Sequence, residues 1–272
     1  MKASVIIAFY NNLKALKIIL SALNNQFEDN FEVIIADDGS REDVVSEIKS
    51  IQTGFSYHIK HVWHEDKGFR KNKILNQAVL LASNEYIIFI DGDCIPQVNF
   101  VRDHLENAEV GCFLNGRRAD LSPSFSQKIT LVRPESFFKE NLFFMLAEYI
   151  FLGKGKNIEK GIRITNRFLS RWLNRKNKGV VGCNFSLYKK DLTYINGFDE
   201  RYEAAGVGED TDVEFRLKLA GFRCKNIFYL ANQVHMYHKE LPRDRVNDEI
   251  YASVVKSREY YTQWGIIRRT TQ

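Results

Sequence analysis

Two aspartates separated by one glycine follow an apolar run in the first half of the sequence. The run Tyr86–Ile90 is partly β-branched, as the buried strands of parallel sheets are, and it leads into Asp91, Gly92 and Asp93. Alternate residues of an extended segment share one face, so both carboxylates could address one divalent cation and its phosphate. Mg²⁺ and Mn²⁺ accept carboxylate oxygens. A strand followed by a polar turn is the alternative, because this spacing is short and common.

A second predicted strand end carries acids of its own. The run Phe31–Ala36 closes on Asp37, Asp38 and Gly39. Asp38 could accept a hydrogen bond from the N–H of a nucleobase, and Gly39 allows a tight turn. A turn that caps the next helix explains this segment equally well when it is taken alone. Two acidic strand ends in one sheet favour a binding site, because open α/β sheets bind ligands at the carboxyl ends of their strands.

Two histidines three residues apart, His235 and His238, are candidate metal ligands. Imidazole is a common ligand of divalent ions, and these two accompany the acidic segment at Asp93. A purely structural role for both histidines is the alternative.

Three carboxylates open a predicted helix late in the chain. Glu209, Asp210 and Asp212 follow Gly208 and precede the predicted helix 213–220. Acids at this position complement the helix dipole, which would be a structural role. In the functional interpretation, one of them is a general base that takes the proton of an attacking hydroxyl group.

Cations gather where a predicted loop meets a predicted helix, over residues 67–76. Arg70 and Lys73 are three positions apart and could share one face of that helix. Cations and a helix N-terminus together favour a phosphate group. A solvated basic helix face is the alternative.

The elements that must position these residues alternate between strand and helix in the first third of the chain. The predicted strands are 4–8, 31–36, 57–63 and 86–91, and the predicted helices are 13–24, 41–51 and 71–82. This alternation predicts an α/β fold with right-handed crossovers and a mostly parallel, Rossmann-like sheet flanked by helices.

In the middle of the chain, residues 113–178, strands and helices do not alternate in this way. Residues 154–178 hold nine lysines or arginines and one acid, interleaved with apolar residues. This pattern predicts a basic amphipathic helix at a membrane surface or an acidic ligand, and an ordinary surface helix is the alternative. Residues 179–188 read as a strand with small residues, where a ligand could approach closely. The tail, 248–272, is predicted to be helical.

Composition narrows the class of protein. The chain has 272 residues, and its 44% hydrophobic content suffices for the core of one large domain. A net charge of +5 suits an anionic substrate, nucleic acid or a membrane surface. The four cysteines show no metal-binding spacing, so we expect reduced thiols in a cytosolic protein. We expect neither a signal peptide nor a membrane-spanning segment.

Several short blocks, in this order, resemble the family-2 glycosyltransferases of the GT-A fold and the related catalytic domains of β-1,4-galactosyltransferase and chondroitin polymerase. The blocks are Val5–Asn11, Ala36–Ser40, Phe69-Arg70 with Lys73–Asn76, Asp91–Asp93, Ile195–Phe198, Gly208–Asp210 and Met236–His238. Nearly the whole chain is covered, except for the middle segment and the tail.

The resemblance implies a role for each matching position. The implied nucleotide-sugar contacts are Ala8, Tyr10, Asp38, Arg70, Lys73, Asp91 and Gly92. The implied metal ligands are Asp93, His238 and, as a possible second histidine, His235. Asp210 matches the catalytic base and Glu209 an acceptor-sugar contact, while Asn184 and Gly208 are further candidate acceptor contacts. A tryptophan that precedes the Glu-Asp pair in the galactosyltransferases is absent here, where the chain has Gly206-Val207-Gly208.

The resemblance therefore predicts one GT-A catalytic domain. It comprises a nucleotide-sugar half (1–112), a basic helical insert (113–178), an acceptor half (179–240) and a helical tail (241–272). The implied activity is inverting transfer from a UDP-sugar, with Mn²⁺ or Mg²⁺, to a glycan or lipid-linked saccharide of bacterial surface polysaccharide or lipopolysaccharide. We expect a cytoplasmic enzyme in peripheral contact with an anionic membrane, and no nucleic-acid partner. A sugar nucleotidyltransferase and a non-catalytic nucleotide-sugar-binding protein are the alternatives.

Overall fold

A mixed central sheet organises the protein, as shown by a computed structural model that describes residues 1–176, 178–204, 208–239 and 245–267, excluding the side chains of Arg167 and Glu209. In the described part of the chain, the strands are β1 Ala3–Phe9, β2 Phe31–Asp37, β3 Ile59–Trp63, β4 Tyr86–Asp91, β5 Cys94–Pro96, β6 Cys112–Asn115, β7 Ala119–Asp120, β8 Phe185–Tyr188, β9 Arg223–Asn226 and β10 Gln233–His235. The larger sheet has the order β3-β2-β1-β4-β8-β6-β9, and the smaller one the order β5-β10-β7.

Helices cover the larger sheet and connect its strands. The α-helices assigned within the described ranges are α1 Leu13–Asn24, α2 Glu42–Ile51, α3 Lys71–Leu81, α4 Phe100–Asn107, α5 Pro123–Lys128, α6 Phe137–Leu152, α7 Arg167–Leu173, α8 Lys189–Tyr194, α9 Glu209–Leu219 and α10 Val246–Ser257. The predicted α/β class, with helices flanking a large sheet, is confirmed. The first three helices and first four strands lie within two residues of their predicted bounds.

Strand β1 lies at the centre of the parallel part of the sheet. It pairs in parallel with β2 on one side and with β4 on the other. In this register Ala8 is opposite both Ala36 and Asp91. The carboxyl ends of the three strands are therefore level, and the acids that follow β2 and β4 flank the end of β1.

The smaller sheet brings distant residues together through its register. Strand β10 runs antiparallel to β5 and parallel to β7. His235 is consequently opposite Cys94 on one side and Asp120 on the other. The backbone N–H of Met236 donates to the carbonyl oxygen of Asp93 at 2.9 Å. This pairing places Asp93 and His235 side by side, although 142 positions separate them in the sequence.

The acceptor-half strand predicted at 179–188 forms only over β8, and it runs antiparallel between β4 and β6. The residues before it form turns instead, and the Asn184 N–H donates back to the Val181 carbonyl at 2.9 Å.

The prediction of a basic helix over 154–178 is wrong for most of that stretch. The described part holds a short 3₁₀ turn at Ile158–Gly161 and the seven-residue helix α7. Gly153, Gly155 and Asn157 have positive φ angles of 63°, 79° and 52°, which end helix α6 and prevent its continuation. The long helix of the insert is α6, which lies before the basic stretch.

The tail is helical only in part. Helix α10 ends at Ser257, and the following chain packs on the loop after α8 through hydrogen bonds such as Ile266 N–H to Asn196 O at 3.0 Å. Residues 241–244 and 268–272 of the predicted helical tail lie outside the described residues. All four cysteines are free thiols. Among the described helices, none combines the length and apolar character needed to cross a bilayer.

Candidate active site

A cavity of about 540 Å³ opens at the carboxyl ends of β1, β2 and β4. Predicted nucleotide-sugar and metal residues line it, namely Ala8, Tyr10, Asp38, Asp91, Gly92, Asp93 and His238. Further lining residues that the sequence analysis did not single out include Asn12, Asp66, Phe69, Lys71 and Tyr237. The cavity therefore lies where open α/β sheets bind their ligands.

Two glycines keep the cavity walls close together. A Cβ atom on Gly92 would lie 2.8 Å from the carbonyl oxygen of Ala8, so only glycine lets the β4 end pass β1 at this distance. Gly39 has a φ of +94°, and a Cβ there would lie 2.6 Å from the Asp66 Cα. Gly39 thus allows the turn after β2 to pack against the loop that carries Asp66.

Asp38 occupies the inner part of the cavity and already has two partners. Its Oδ1 lies 2.7 Å from the Nε2 of His64, and its Oδ2 accepts from the backbone N–H of Arg70 at 2.9 Å. Burial raises the pKa of Asp38, although the hydrogen bonds from His64 and Arg70 oppose that shift. A carboxylate has about four acceptor positions, so Asp38 retains capacity for a nucleobase N–H. Asp37, by contrast, is fully buried against His61 at 3.0 Å.

Tyr10 forms an aromatic wall near the cavity mouth. Its ring is 53% exposed, and its hydroxyl donates to Asp66 Oδ2 at 3.0 Å. The hydrogen bond to Asp66 raises the pKa of Tyr10, so the phenol stays neutral. An exposed ring held in one orientation is suited to stacking on a flat ligand such as a nucleobase.

Two of the described lysines line the cavity, Lys71 and Lys239. The Nζ of Lys71 lies 2.9 Å from Asp91 Oδ1. The two cations predicted for the diphosphate, Arg70 and Lys73, are not among the lining residues. Arg70 instead positions Asp38 through its backbone N–H, and its guanidinium donates to the Glu65 carbonyl.

A carboxylate and two imidazoles converge at one edge of the cavity. The Nε2 atoms of His235 and His238 are 3.4 Å and 3.1 Å from Asp93 Oδ2, and 3.1 Å from each other. One ligand atom from each residue lies within 4.8 Å of the other two. The sequence predicted this cluster, and the pairing of β10 with β5 explains its assembly.

A second carboxylate orients the buried histidine of the cluster. Asp120 Oδ1 lies 3.0 Å from the Nδ1 of His235, which leaves Nε2 facing Asp93. Burial lowers the pKa of His235, but hydrogen bonds to Asp120 and Asp93 outweigh burial and raise it to about 9. Burial likewise disfavours ionised Asp93, but its bonds to the two histidines hold its pKa well below the usual range. The hydrogen bond to Asp93 also raises the pKa of His238.

The donor atoms at this cluster fit a divalent cation. A carboxylate with two imidazoles supplies one oxygen and two nitrogens. This ligand set suits Mn²⁺ and the later transition ions better than it suits Mg²⁺, which prefers oxygen ligands alone. Asp120 provides the outer hydrogen bond that metal-bound histidines almost always have. Asp93, His235 and His238 are therefore the residues that could hold a metal ion.

Replacing Asp120 with Asn is expected to lower the affinity for Mn²⁺ by about 10- to 100-fold, because His235 would lose the partner that sets its tautomer. Calorimetric titration of the purified protein with Mn²⁺ measures this. The control is Asn157→Gly, because Asn157 contacts the other oxygen of Asp120, at 3.2 Å, and its positive φ suits glycine. Unchanged affinity in the Asp120 variant would show that packing alone orients His235.

Asp210 lies at the start of helix α9, close to the cavity but outside its lining. Its Oδ2 accepts from the Gly182 N–H at 3.1 Å, and its Oδ1 from the Thr211 N–H at 2.7 Å. Gly182 also lines a small cleft together with Asp91 and Lys71, which belong to the main cavity. Asp210 is thus hydrogen-bonded to a backbone segment that lines a cleft adjoining the cavity.

The other predicted acceptor residues differ in position. Gly208 is the residue before α9, with extended backbone angles, and the side chain of Glu209 lies outside the described residues. Asn184 is fully buried, and its amide donates to the carbonyls of Arg117 and Ala231 at 2.6 Å and 2.9 Å. This corrects the prediction for Asn184, because a side chain turned into the core has no direct contact available to an acceptor sugar.

Comparison with protein families identifies the family of this chain. The family described as glycosyl transferase family 2 matches residues 4–192, more than half of the chain. The chain belongs to glycosyltransferase family 2. A second family, described as the N-terminal domain of galactosyltransferase, matches residues 168–239, which include α9 and β10. The resemblance stated from short motifs is confirmed.

Individual relatives agree with this family. The transferase is 27% identical to a chondroitin synthase of Escherichia coli over 88% of its own length and 35% of the synthase. It is 28% identical to the uncharacterized glycosyltransferase YfnE of Bacillus subtilis, over 93% of its own length and 69% of YfnE. The chain thus spans about a third of the chondroitin synthase and about two thirds of YfnE.

A solved structure shows the same fold. The crystal structure of GalNAc-T7 with UDP, GalNAc and Mn²⁺ aligns with a TM-score of 0.62 at 12% identity, over 94% of the transferase and 48% of GalNAc-T7. This likeness places the chain among GT-A glycosyltransferases by fold.

Proposed function

We propose that this protein is an inverting, metal-dependent glycosyltransferase that moves a sugar from a UDP-sugar to a saccharide or lipid-linked acceptor in bacterial surface polysaccharide synthesis. The observation that carries the proposal is the position of the Asp93, His235 and His238 cluster beside a cavity whose inner part holds Asp38. A nucleotide diphosphate would connect the two, with its base at Asp38 and its phosphates at the cluster.

The donor would be held by the cavity wall. Asp38 would accept from the uracil N–H, and Tyr10 would stack on the base. Lys71 would contact the diphosphate, since it lines the cavity beside Asp91 and α3 begins at this residue. Lys71 would then divide its charge between Asp91 and the ligand.

A divalent cation bound by Asp93, His235 and His238 would supply Lewis-acid stabilisation of the negative charge that grows on the departing diphosphate. GalNAc-T7, which shares the fold, was crystallised with UDP and Mn²⁺, and this supports the choice of ligand and ion for the present site. The two imidazoles favour Mn²⁺ over Mg²⁺.

Asp210 would act as the general base. As the acceptor oxygen forms its bond to the anomeric carbon, the bond from that carbon to the diphosphate oxygen breaks, and Asp210 takes the hydroxyl proton. Attack on the face opposite the leaving group inverts the configuration, so an α-linked donor would give a β-linked product. The protein would supply positioning and electrostatics, without a covalent intermediate.

The polysaccharide product is inferred from relatives. One of them is named a chondroitin synthase, although the present chain spans only a third of its length. The corresponding proposal for this chain is transfer onto a saccharide acceptor.

Replacing Lys71 with Ala is expected to raise the KM for the UDP-sugar by about 10- to 100-fold, because a charge-assisted contact to the diphosphate would be lost. Lys73→Ala, two positions away on the same helix, is the matched control and should change KM less than about threefold. Steady-state kinetics with varied donor measures both. If Lys73→Ala raised the KM more than Lys71→Ala, the diphosphate contact would belong to Lys73.

A panel of nucleotide sugars, scored for hydrolysis with and without Mn²⁺, tests the proposed function. We expect Mn²⁺-dependent release of UDP from at least one UDP-sugar in the absence of acceptor. A non-catalytic binding protein would bind the nucleotide sugar without releasing UDP. A nucleotidyltransferase would instead form a nucleotide sugar from a nucleoside triphosphate and a sugar phosphate.

A further inference from the structure

The outer face of helix α6 is apolar and uncovered by the described part of the chain. Five large apolar side chains between its seventh and last residues are more than 60% exposed, namely Phe143 at 78%, Phe144 at 64%, Ile150 at 69%, Phe151 at 82% and Leu152 at 64%. Since an aromatic side chain offers about 150–250 Å² of surface, this face presents apolar area on the order of 500 Å². A patch of this size is at the upper end of what monomeric proteins expose and usually marks an interaction site.

The opposite face of α6 explains why the helix is in place. Phe138 and Met145 are 2% exposed, and Leu142 and Leu146 pack beside them against the core. Glu148 is held by the hydroxyls of Ser122 and Ser124 at 2.5 Å and 2.7 Å. A helix that is apolar all round is normally buried on every side, so the outer face of α6 lacks a partner within the described structure.

Cations follow this apolar helix along the chain. Six lysines and arginines after α6 are exposed, namely Lys154, Lys156, Arg171, Arg175, Lys176 and Lys178, and the first two lie within four residues of its C-terminal end. Helix α7 adds two further exposed aromatic residues, Phe168 at 87% and Trp172 at 62%. Exposed aromatic residues next to lysine and arginine are the composition of helices that lie in the interface of an anionic bilayer.

We propose that the outer face of α6, from Phe143 to Leu152, docks the protein on an anionic lipid bilayer. The positive charge of these residues favours an anionic bilayer over a second copy of the chain as the partner. A symmetric dimer through this patch would bring the same basic segment of both copies together, whereas anionic headgroups would neutralise it. The protein would lie on the membrane with its apolar side chains among the headgroups.

The docking face is connected directly to the candidate metal site. Four residues after α6, the backbone of Lys156 pairs with that of Asp120 through two hydrogen bonds, of 2.9 Å and 3.0 Å. Asp120 in turn contacts His235. Docking would therefore place the active site close to the headgroup layer, where a lipid-linked saccharide presents its sugar. This last step rests on the proposed transferase function, whereas docking itself does not.

Vesicle flotation tests the docking. The probes are vesicles of phosphatidylcholine alone and vesicles of phosphatidylcholine and phosphatidylglycerol in equal parts. The test variant is Phe143→Glu with Phe151→Glu, because both side chains are exposed and their replacement should leave the fold intact. The control variant is Val110→Glu, since Val110 is 67% exposed in a loop before β6. Hydrolysis of a UDP-sugar and the thermal midpoint are measured for each protein.

We expect the wild type and the Val110 variant to float with anionic vesicles but not with neutral ones. The double variant should bind at least about tenfold more weakly, with unchanged hydrolysis and thermal midpoint. The proposal is overturned if the wild type stays in solution with both vesicles, or if the double variant binds as well as the wild type. It is also overturned if the wild type is a dimer that the double variant dissociates while vesicles bind neither. Loss of UDP-sugar hydrolysis in every protein, with vesicle binding retained, would instead contradict the transferase function.

Discussion

Asp210→Asn is expected to lower the rate of sugar transfer by about 10²- to 10⁴-fold, because an amide cannot accept the proton of the acceptor hydroxyl. Donor binding should persist, since Asp210 is outside the lining of the donor cavity. Initial rates with saturating donor measure the loss, and calorimetry with UDP and Mn²⁺ measures the retained binding.

A structural role for Asp210 predicts a different result. Asp210 lies in the first turn of α9, where a carboxylate stabilises a helix by about 0.3–1 kcal/mol. Asp248, an exposed acid in the first turn of α10, has the same relation to its helix and lies outside the cavity lining. Asp248→Asn should therefore keep full activity. If Asp210→Asn also remains active, the base must be another group.

Asp93→Asn is expected to lower activity by about 10³-fold or more, because loss of the carboxylate would remove metal-assisted stabilisation worth several kcal/mol. In contrast to the Asp210 variant, this variant should also lose binding of UDP with Mn²⁺. The same assays measure both quantities, so the pair of variants separates proton transfer from diphosphate binding.

Two controls accompany the Asp93 variant. Asp29→Asn removes an exposed carboxylate outside the cavity and should be silent. Chelation of the wild type should reproduce the loss, and added Mn²⁺ should restore activity more fully than Mg²⁺. Full activity of the chelated enzyme would remove the metal roles assigned to Asp93, His235 and His238.

Sequence patterns predicted the first third of the fold closely because three of its strands, β1, β2 and β4, are buried on both faces. Such strands appear as continuous apolar runs that polar residues interrupt at each end. Strand β4 was predicted to end at Asp91 and does so. Helix α1 was predicted over Leu13–Asn24, and those bounds also hold.

The insert could not be predicted in the same way. Helix α6 carries apolar residues on all sides, so it has no periodicity to mark it as an amphipathic helix. The basic stretch that follows was predicted to be one helix, but some of its cations turn inward. Lys160 is buried with its Nζ 2.5 Å from the Tyr229 hydroxyl, and Arg163 pairs with buried Asp103.

Sequence analysis predicted the central residues of the candidate site but missed the residues that hold them in place. Asp91 with Asp93, and His235 with His238, are pairs of metal-binding residue types at short spacing, so they can be recognised in the sequence. His64 and Asp120 have ordinary surroundings in the sequence, and their contacts to Asp38 and His235 exist only because neighbouring strands align. Such pairing across strands is a property of the folded register.

Strand β8 has a consequence for any attempt to divide this protein. The first 112 residues supply most of the cavity lining, but β4 borders β1 on one side and β8 on the other. Without β8, the buried and apolar strand β4 would become an open edge, with unpaired backbone groups ready to join another molecule. A fragment that stops before Phe185 should therefore aggregate. The first half of the chain needs the second half in order to fold into a soluble domain.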